Sequence, residues 1–392
     1  MKKLQKIGYS LRDIAIVQSQ ISYTLHRGDV DPFIDVCNRK TLPIFVAPMA
    51  SVTDADNYKI WIDNKVTPVI PRSIMNKYSI HDRLKFAKET FVSFSLNEAI
   101  EIFENNLVLD CSAESPIYIC IDIAHGTLSS LYDICHKMKL KYGDSIIIMT
   151  GNIANPEAYR EYCRCGIDYV RCGIGGGSRC TTSANVSVHM PMATLLDDIQ
   201  AIKESFVAYN KLAEKNNQPP MKITKVIADG GIGWFDDINK ALAMGADAVM
   251  IGKCFAECEE ACGEIKWSLN EDDYAIGNWF TTEEKNRWIK LIDNCEFERK
   301  QDEIDPLKLK PFRDYYGMST KRAQGETKSN GVRTSEGINK PVAVKYPVAK
   351  WLNNVEAYLR SAMTYTNSKN IKEFNNSHCV ILGGNSYGSF AK

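Results

Sequence analysis

The side chains best suited to chemistry lie in one short segment, Arg171-Cys-Gly-Ile-Gly-Gly-Gly-Ser-Arg-Cys-Thr-Thr-Ser183. Its four closely spaced glycines allow positive φ angles and let a ligand approach the backbone. Such a loop can turn several N–H groups toward a phosphate, while Ser178 and Thr182 add hydroxyls and Cys180 adds a thiol. The simpler interpretation is a glycine-rich turn with a buried cysteine. The spacing favours an anion cradle beside a nucleophile.

Two further glycine-bearing segments follow apolar runs later in the chain. Asp229-Gly-Gly-Ile-Gly233 and Gly252-Lys253 each come directly after a stretch that reads as a buried strand. Asp122, in Ile121-Asp-Ile-Ala-His-Gly126, has the same position after an earlier strand. Polar residues at several strand ends indicate one binding rim rather than unrelated turns.

Short apolar runs alternate with helical patterns from residue 43 onward, which is typical of βα units and a parallel sheet. The number of strands predicts a (β/α)8 TIM barrel. An open doubly wound sheet is the alternative, but the first strand is followed by Ala47-Pro-Met-Ala-Ser51 instead of a Gly-x-Gly-x-x-Gly turn. The predicted strands are Pro43–Ala47, Val66–Ile70, Thr90–Ser95, Ile117–Ile123, Ser145–Met149, Ile167–Arg171, Ile223–Ala228 and Ala246–Ile251.

The pattern changes after residue 264. We predict that 1–264 and 341–392 form the barrel with a C-terminal tail, and that 265–314 is an inserted helical subdomain. Residues 315–340 contain few large apolar side chains, so we expect a mobile active-site lid after the eighth strand. The tail Cys379–Ser386 is apolar and glycine-rich, and we expect it to dock on a neighbouring copy of the chain.

Composition narrows the possible partners. Basic and acidic residues both number 48, so no net field attracts nucleic acid or an anionic membrane. No apolar run reaches membrane-spanning length, and no apolar leader opens the chain. Thirteen cysteines then point to a reducing, cytoplasmic location. The stripe Cys254, Cys258 and Cys262 is better explained by helix packing than by a metal site.

Together these segments resemble the inosine-monophosphate dehydrogenase / GMP reductase family, over nearly all of the chain except 265–314. The family is built on a (β/α)8 barrel that is usually tetrameric, so the resemblance implies a homotetramer. The motifs that carry the resemblance are Ala47-Pro-Met-Ala-Ser-Val-Thr53, Ile121-Asp-Ile-Ala-His-Gly126, Gly151-Asn152, Gly173-Ile-Gly-Gly-Gly-Ser-Arg-Cys-Thr-Thr182, Ala228-Asp-Gly-Gly-Ile232, Val249-Met-Ile-Gly252 and Tyr316-Gly-Met-Ser319.

The resemblance also implies roles for individual residues. Cys180 would attack C2 of a guanine or inosine nucleotide, with Thr182 and Glu336 handling protons. NADPH would be the cofactor, and a monovalent cation such as K+ would lie on carbonyls of Gly175, Gly177 and Cys180. Substrate would be held by Ser178, Asp229, Gly230, Gly231, Gly252, Lys253, Tyr315, Tyr316 and Met318. The cofactor would lie on Asp122, Ala124, Gly173, Ser319, Arg333 and Ser335.

The segment Arg333-Thr-Ser-Glu-Gly337 resembles the lid motif of the reductases, and no Arg-Tyr pair of the dehydrogenase type occurs between Met318 and Lys340. The resemblance therefore implies NADPH-dependent reductive deamination of GMP to IMP. Several features depart from the family pattern, among them Lys253 in place of a small residue and Leu382-Gly-Gly384, which resembles some dehydrogenase tails. An IMP dehydrogenase without its regulatory CBS domain and an inactive nucleotide-binding paralogue remain the alternatives.

Overall fold

Eight parallel strands close into a barrel in the computed structural model, which describes residues 7–75, 77–108, 111–178, 182–293, 305–317, 320 and 337–383. The strands of the described residues, in chain order, are β1 (Ile14–Ile16), β2 (Ile34–Val36), β3 (Arg39–Thr41), β4 (Ile44–Val46), β5 (Thr67–Ile70), β6 (Phe91–Phe94), β7 (Ile117–Asp122), β8 (Ile146–Ile153), β9 (Tyr169–Cys172), β10 (Lys225–Asp229), β11 (Ala248–Ile251), β12 (Lys266–Ser268), β13 (Phe280–Thr281), β14 (Lys310–Tyr315), β15 (Lys340–Ala343) and β16 (Cys379–Ile381).

Helices surround this barrel and connect its strands. None of the helices within the described ranges is long and apolar enough to cross a membrane. The α-helices are Tyr58–Asp63, Arg72–Met75, Ile80–Phe86, Leu96–Glu104, Ser129–Tyr142, Ala158–Arg164, Thr182–Val186, Met192–Lys215, Phe235–Ala243, Lys253–Ala256, Glu271–Ala275, Thr282–Asp293, Val348–Tyr365 and Ile371–Phe374, and the 3-10 turns are Leu11–Asp13, Arg27–Asp29, Gly143–Ser145 and Pro306–Lys308.

The barrel consists of β4 to β11 in sequential order, with β11 pairing back onto β4. The (β/α)8 prediction is therefore confirmed, and the open-sheet alternative is wrong. Each predicted strand overlaps an observed one. The strands are apolar on both faces because alternate side chains point into the barrel and toward the helices, as Phe45 and its neighbours Ile44 and Val46 do.

Aromatic rings fill the barrel toward the amino ends of its strands. Phe45, Phe91 and Tyr169 meet edge to face with ring centroids 5.6–5.8 Å apart. The hairpin β2–β3 adds Val36 and Cys37 to this cluster, and burial raises the pKa of the Cys37 thiol to about 12. This packing fills one end of the barrel and leaves the carboxyl ends of the strands for a site.

The segment 265–314 contains strands as well as the predicted helices. Its described part supplies β12, β13 and β14, which join β15 in a four-stranded antiparallel sheet ordered β13-β12-β14-β15. Strands of two to six residues are too short to give a clear alternation in the sequence. Cation–π contacts stabilise this unit, with the Lys285 ammonium 3.2 Å from the Trp267 ring centre and that of Lys266 3.7 Å from Trp279.

The C-terminal tail pairs within its own chain. Residues Cys379–Ile381 form β16, which lies antiparallel to β1 with Ile14 opposite Ile381. One edge of this strand is therefore paired with β1, and docking of the tail on a neighbouring copy stays a prediction. Residues 384–392 lie outside the described residues, so docking of that part remains a prediction.

A buried ion pair between neighbouring helices offers a test of the fold. The Arg83 guanidinium is 2% exposed and bonds Glu98 and the Ser93 carbonyl. Burial opposes the charge on Glu98, but Arg83 and the Ser95 N–H outweigh it and lower the pKa of the carboxyl below its usual 4.5. Glu98→Gln should therefore reduce the free energy of unfolding by about 3–5 kcal/mol at pH 7, because Arg83 stays buried without its partner.

The pH dependence has a defined sign. A lowered pKa stabilises the fold above the unfolded value and loses that contribution as pH falls through the folded value. Urea denaturation should therefore show the difference between wild type and Glu98→Gln shrinking below about pH 4.5. Glu101→Gln, at an exposed position on the same helix, is the control. A constant difference from pH 7 to pH 3 would contradict this account.

Candidate active site

A cavity of about 880 Å3 opens at the carboxyl ends of the barrel strands. It is the rim that the sequence predicts, since loops after β7, β9, β10 and β11 all contribute to it. Tyr316 is buried but does not line the cavity. The predicted residues that line it are Asp122, Ala124, Gly173, Gly175, Gly177, Ser178, Thr182, Asp229, Gly230, Gly231, Gly252, Lys253 and Tyr315.

One guanidinium joins the two acidic residues of the cavity. Arg171, at the carboxyl half of β9, donates from Nη1 to Asp122 Oδ1 at 2.6 Å. Its Nε and Nη2 both reach Asp229 Oδ2, at 3.0 and 2.9 Å. Asn152 Nδ2 donates to the same oxygen at 2.8 Å. Strands β7, β8, β9 and β10 thus contribute one polar group each to a single network.

The charged groups of this network are largely shielded from solvent. Arg171 is only 8% exposed, and burial opposes its charge, but Asp229 and Asp122 outweigh burial and raise the pKa of the guanidinium above its ordinary value. Two carboxylates in one cavity would otherwise repel each other. No described residue bonds the other oxygens, Asp122 Oδ2 and Asp229 Oδ1, so each aspartate keeps an acceptor for a ligand hydroxyl.

Glycine is required at one place in the rim, Gly173, and allows a close side-chain approach at a second, Gly252. Gly173 has φ +125°, and a Cβ there would lie 2.3 Å from the Asp229 carbonyl oxygen. At Gly252 a Cβ would lie 2.7 Å from both Met49 Sδ and the Tyr315 hydroxyl. The first glycine lets the loops after β9 and β10 touch, and the second lets Tyr315 reach the loop after β11. Both contacts shape the cradle predicted for phosphate.

The described parts of the cysteine loop lie at this cavity. Thr182 begins the helix Thr182–Val186, and Ser183 Oγ donates to the Gly175 carbonyl at 3.0 Å. That bond uses one of two lone pairs on the Gly175 oxygen, so the monovalent-cation site remains a prediction. The described residues hold no group of three His, Cys, Asp or Glu side chains able to bind a metal ion. Outside the described residues lie the predicted Cys180, Met318, Ser319, Arg333, Ser335 and Glu336.

Cys254, Cys258 and Cys262 are packed, as predicted, but they do not form a helical stripe, because the helix Lys253–Ala256 carries only the first of them. Cys254 Sγ lies 3.5 Å from the Gly233 carbonyl and Cys262 Sγ 3.1 Å from that of Ala50. Burial raises the pKa of the Cys254 thiol to about 12, so it stays protonated at neutral pH. These sulfurs support the loops that carry Gly233 and Ala50 rather than react.

Sequence reasoning missed several residues of the cavity. Arg171 and Asn152 belong to the sequence motifs, but no role was predicted for either. Arg171 is a charged residue in the apolar run of β9, and such a residue indicates a buried ion pair or a site. Arg12, Arg72 and Trp234 also line the cavity. Arg12 comes from an N-terminal turn far away in the chain, and no local pattern predicts that it reaches the rim.

Comparison with known proteins agrees with this geometry. Residues 109–274 match the family model described as IMP dehydrogenase / GMP reductase domain. The chain belongs to this family. The matched range includes β7 to β11 and therefore Asp122, Asn152, Arg171 and Asp229.

Some relatives are named inosine-5'-monophosphate dehydrogenase and others GMP reductase. The chain is 31% identical over 277 residues to the inosine-5'-monophosphate dehydrogenase of Chlorobaculum parvum, a match covering 70% of this chain and 47% of that protein. It is 26% identical over 340 residues to the GMP reductase of Aliivibrio fischeri, covering 84% and 80%. For the GMP reductase of Oenococcus oeni the identity is 26% over 350 residues, covering 88% of each. The chain thus spans about half the length of the first dehydrogenase and most of these reductases.

The bridging guanidinium gives a quantitative test. Arg171→Met should lower the free energy of unfolding by about 3–5 kcal/mol, because two poorly exposed carboxylates then lose the cation that they share. Adding Asp122→Asn and Asp229→Asn should recover most of the loss, since the repulsion disappears with the charges. Urea denaturation of the single, double and triple variants measures the coupling. Strictly additive effects would show that the three side chains do not act as one network.

Proposed function

We propose that this protein catalyses the NADPH-dependent reductive deamination of GMP to IMP through a covalent bond between Cys180 and C2 of the purine. The observation that carries the proposal is the cavity in which Asp122, Arg171 and Asp229 meet beside the cysteine loop. Family membership supports an oxidoreductase of purine nucleotides. The reductase-like lid segment and the long matches to GMP reductases favour that activity.

The nucleotide would lie along the rim from β9 to β11. Asp229 Oδ2 is occupied by Arg171 and Asn152, so Oδ1 would accept from ribose hydroxyls. The N–H groups of Gly231 and Gly252, with Ser178, would hold the 5'-phosphate. These assignments use residues that line one cavity, in the spatial order of adjacent strands.

The chemistry at C2 would then proceed in two stages. The Cys180 thiolate attacks C2, the C2–N bond breaks, and the amino group leaves as ammonia after taking a proton from Thr182 and Glu336. The resulting thioimidate accepts a hydride at C2, and the C2–S bond breaks to give IMP and the thiolate again. NADPH supplies that hydride when bound, and becomes NADP+. One GMP, one NADPH and two protons therefore give IMP, NADP+ and an ammonium ion.

The described residues fit a nicotinamide cofactor. Asp122 has one oxygen on Arg171 and one without a described partner, which suits the ribose hydroxyls of a dinucleotide. Ala124 and Gly173 line the same cavity and present little or no side chain to it. These residues would orient the cofactor while Arg171 holds the Asp122 carboxylate in place.

IMP dehydrogenase activity is the second candidate. Higher identity to dehydrogenases favours it, at 31% for Chlorobaculum parvum and 39% over 146 residues for Chlorobaculum tepidum. In that reaction C2 of IMP loses a hydride to NAD+ and water then releases the product from Cys180. For either reaction we propose a homotetramer, as the family resemblance implies.

The decisive experiment is to follow nicotinamide absorbance with purified protein. We expect GMP plus NADPH to lose absorbance at 340 nm, whereas IMP plus NAD+ gives no change. Cys180→Ser should abolish turnover but retain GMP binding, because a hydroxyl is a far weaker nucleophile than a thiolate. Cys254→Ser is the control, since its buried thiol stays protonated. Activity only with IMP and NAD+ would establish the second candidate, and full activity of Cys180→Ser would exclude both.

Glu336 distinguishes the two reactions. A carboxyl enclosed with bound nucleotide can act as a proton donor for the departing amine. Glu336→Gln should slow ammonia release from GMP by roughly 10²–10⁴-fold and change GMP affinity much less. Single-turnover ammonia measurements and calorimetry test both quantities. In a dehydrogenase the same variant would instead give a burst of NADH before a slow steady state, and rates within a factor of a few would remove Glu336 from the site.

A further inference from the structure

Three cationic or aromatic side chains line the cavity without taking part in a step of the proposed reaction. Arg12 comes from the N-terminal 3-10 turn, Trp234 from the loop after β10, and Lys253 from the loop after β11. All three carry hydrogen-bond donors and no acceptor. Gly231 and Gly252, which are proposed to hold the 5'-phosphate, lie in the loops of Trp234 and Lys253, and the turn of Arg12 packs against the helix Phe235–Ala243 that follows Trp234.

The Lys253 ammonium is only loosely paired. Its Nζ lies 3.9 Å from Glu257 Oε1 and the side chain is 47% exposed. The same carboxylate oxygen is closer to Lys345 Nζ, at 3.0 Å, and the Tyr346 hydroxyl bonds Oε2 at 3.2 Å. Glu257 is therefore neutralised from the other side, so most of the Lys253 charge remains for a ligand.

Arg12 has a fixed backbone and an unengaged guanidinium. Ser10 and Asp13 cap its turn, with Ser10 Oγ 2.7 Å from Asp13 Oδ2, and Leu382 N–H donates to the Asp13 carbonyl at 2.8 Å. Within the described ranges the Arg12 side chain makes no hydrogen bond or ion pair. A cation held at a cavity by a rigid turn, yet lacking a protein partner, suits an anionic ligand.

Trp234 is positioned rather than buried. The backbone N–H groups of Trp234 and Gly233 both donate to Asp237 Oδ2, at 3.1 and 3.0 Å, which fixes the loop. The side chain is nevertheless 69% exposed while lining the cavity. A large aromatic side chain left in solvent at a cavity mouth is suited to ligand contact, and its indole N–H is a further donor.

We propose that these residues form a subsite for a second phosphoryl group, so that the cavity binds nucleoside 5'-diphosphates as well as monophosphates. The inference rests on the proposed function, because it places the 5'-phosphate at Gly231 and Gly252. Glycine N–H groups already serve that first phosphate. The Arg12 guanidinium, the loosely paired Lys253 ammonium and the Trp234 indole form an all-donor set, and a β-phosphate presents only acceptors at neutral pH.

Calorimetry with GMP and GDP tests the subsite on the full chain without cofactor. Wild type should bind GDP about tenfold more tightly than GMP, because two partly exposed charge pairs are gained. Lys253→Met and Arg12→Met should each remove most of this preference, since they keep the apolar stems and remove the charges. Lys350→Met, an exposed lysine on the helix Val348–Tyr365 away from the cavity, should keep it.

The diphosphate could also be that of the dinucleotide cofactor, and NADPH titrations of the same variants separate the two. Unchanged NADPH affinity with a lost GDP preference supports the proposal. The proposal is overturned if wild type and both variants bind GMP and GDP equally. It is also overturned if wild type shows no GDP preference and the variants lose NADPH affinity. In both cases normal GMP binding leaves the proposed function standing. Failure to bind either guanine nucleotide would overturn the subsite and the proposed function together.

Discussion

The cavity depends on the ion pairs that Arg171 makes with Asp122 and Asp229. Without the guanidinium, two carboxylates on nearby strands would repel each other in a poorly solvated place. With it, each carboxylate is paired through one oxygen, and no described residue bonds the other. Because the three residues lie on β7, β9 and β10, the register of the barrel sets their distances. The Arg171 side chain therefore links the arrangement of the barrel strands to the arrangement of the acidic groups in the cavity.

Most of the barrel is visible in the sequence because its strands are buried on both faces. Such strands read as continuous apolar runs, and helical periodicity between them completes the βα pattern. The sheet formed by β12 to β15 is not visible in this way, because its short strands pair across long separations in the chain, as Lys266 does with Phe312. The pairing of β1 with β16 joins the two ends of the described chain and likewise has no local signal.

The parts of the site that lie within one sequence motif could be predicted, whereas contacts between residues on different strands could not. Glycines and polar residues directly after strands identify the rim, because the carboxyl ends of parallel strands lie together. The partners of Asp229 could not be derived, since Arg171 and Asn152 reach it from other strands. Lys253 was recognisable as an unusual residue, but only the geometry shows that Glu257 is already satisfied by Lys345.

The antiparallel sheet beside the barrel explains how a rim of loops becomes a shaped cavity. Arg313 in β14 is fully buried and donates to the carbonyls of Ala261 and Glu259, which ties this strand to the segment after β11. Two residues later, Tyr315 places its hydroxyl against Gly252. Since Gly252 cannot carry a Cβ without displacing that hydroxyl, the glycine and the tyrosine constrain each other. The position predicted to hold phosphate is thus built jointly by the barrel and by the segment inserted after it.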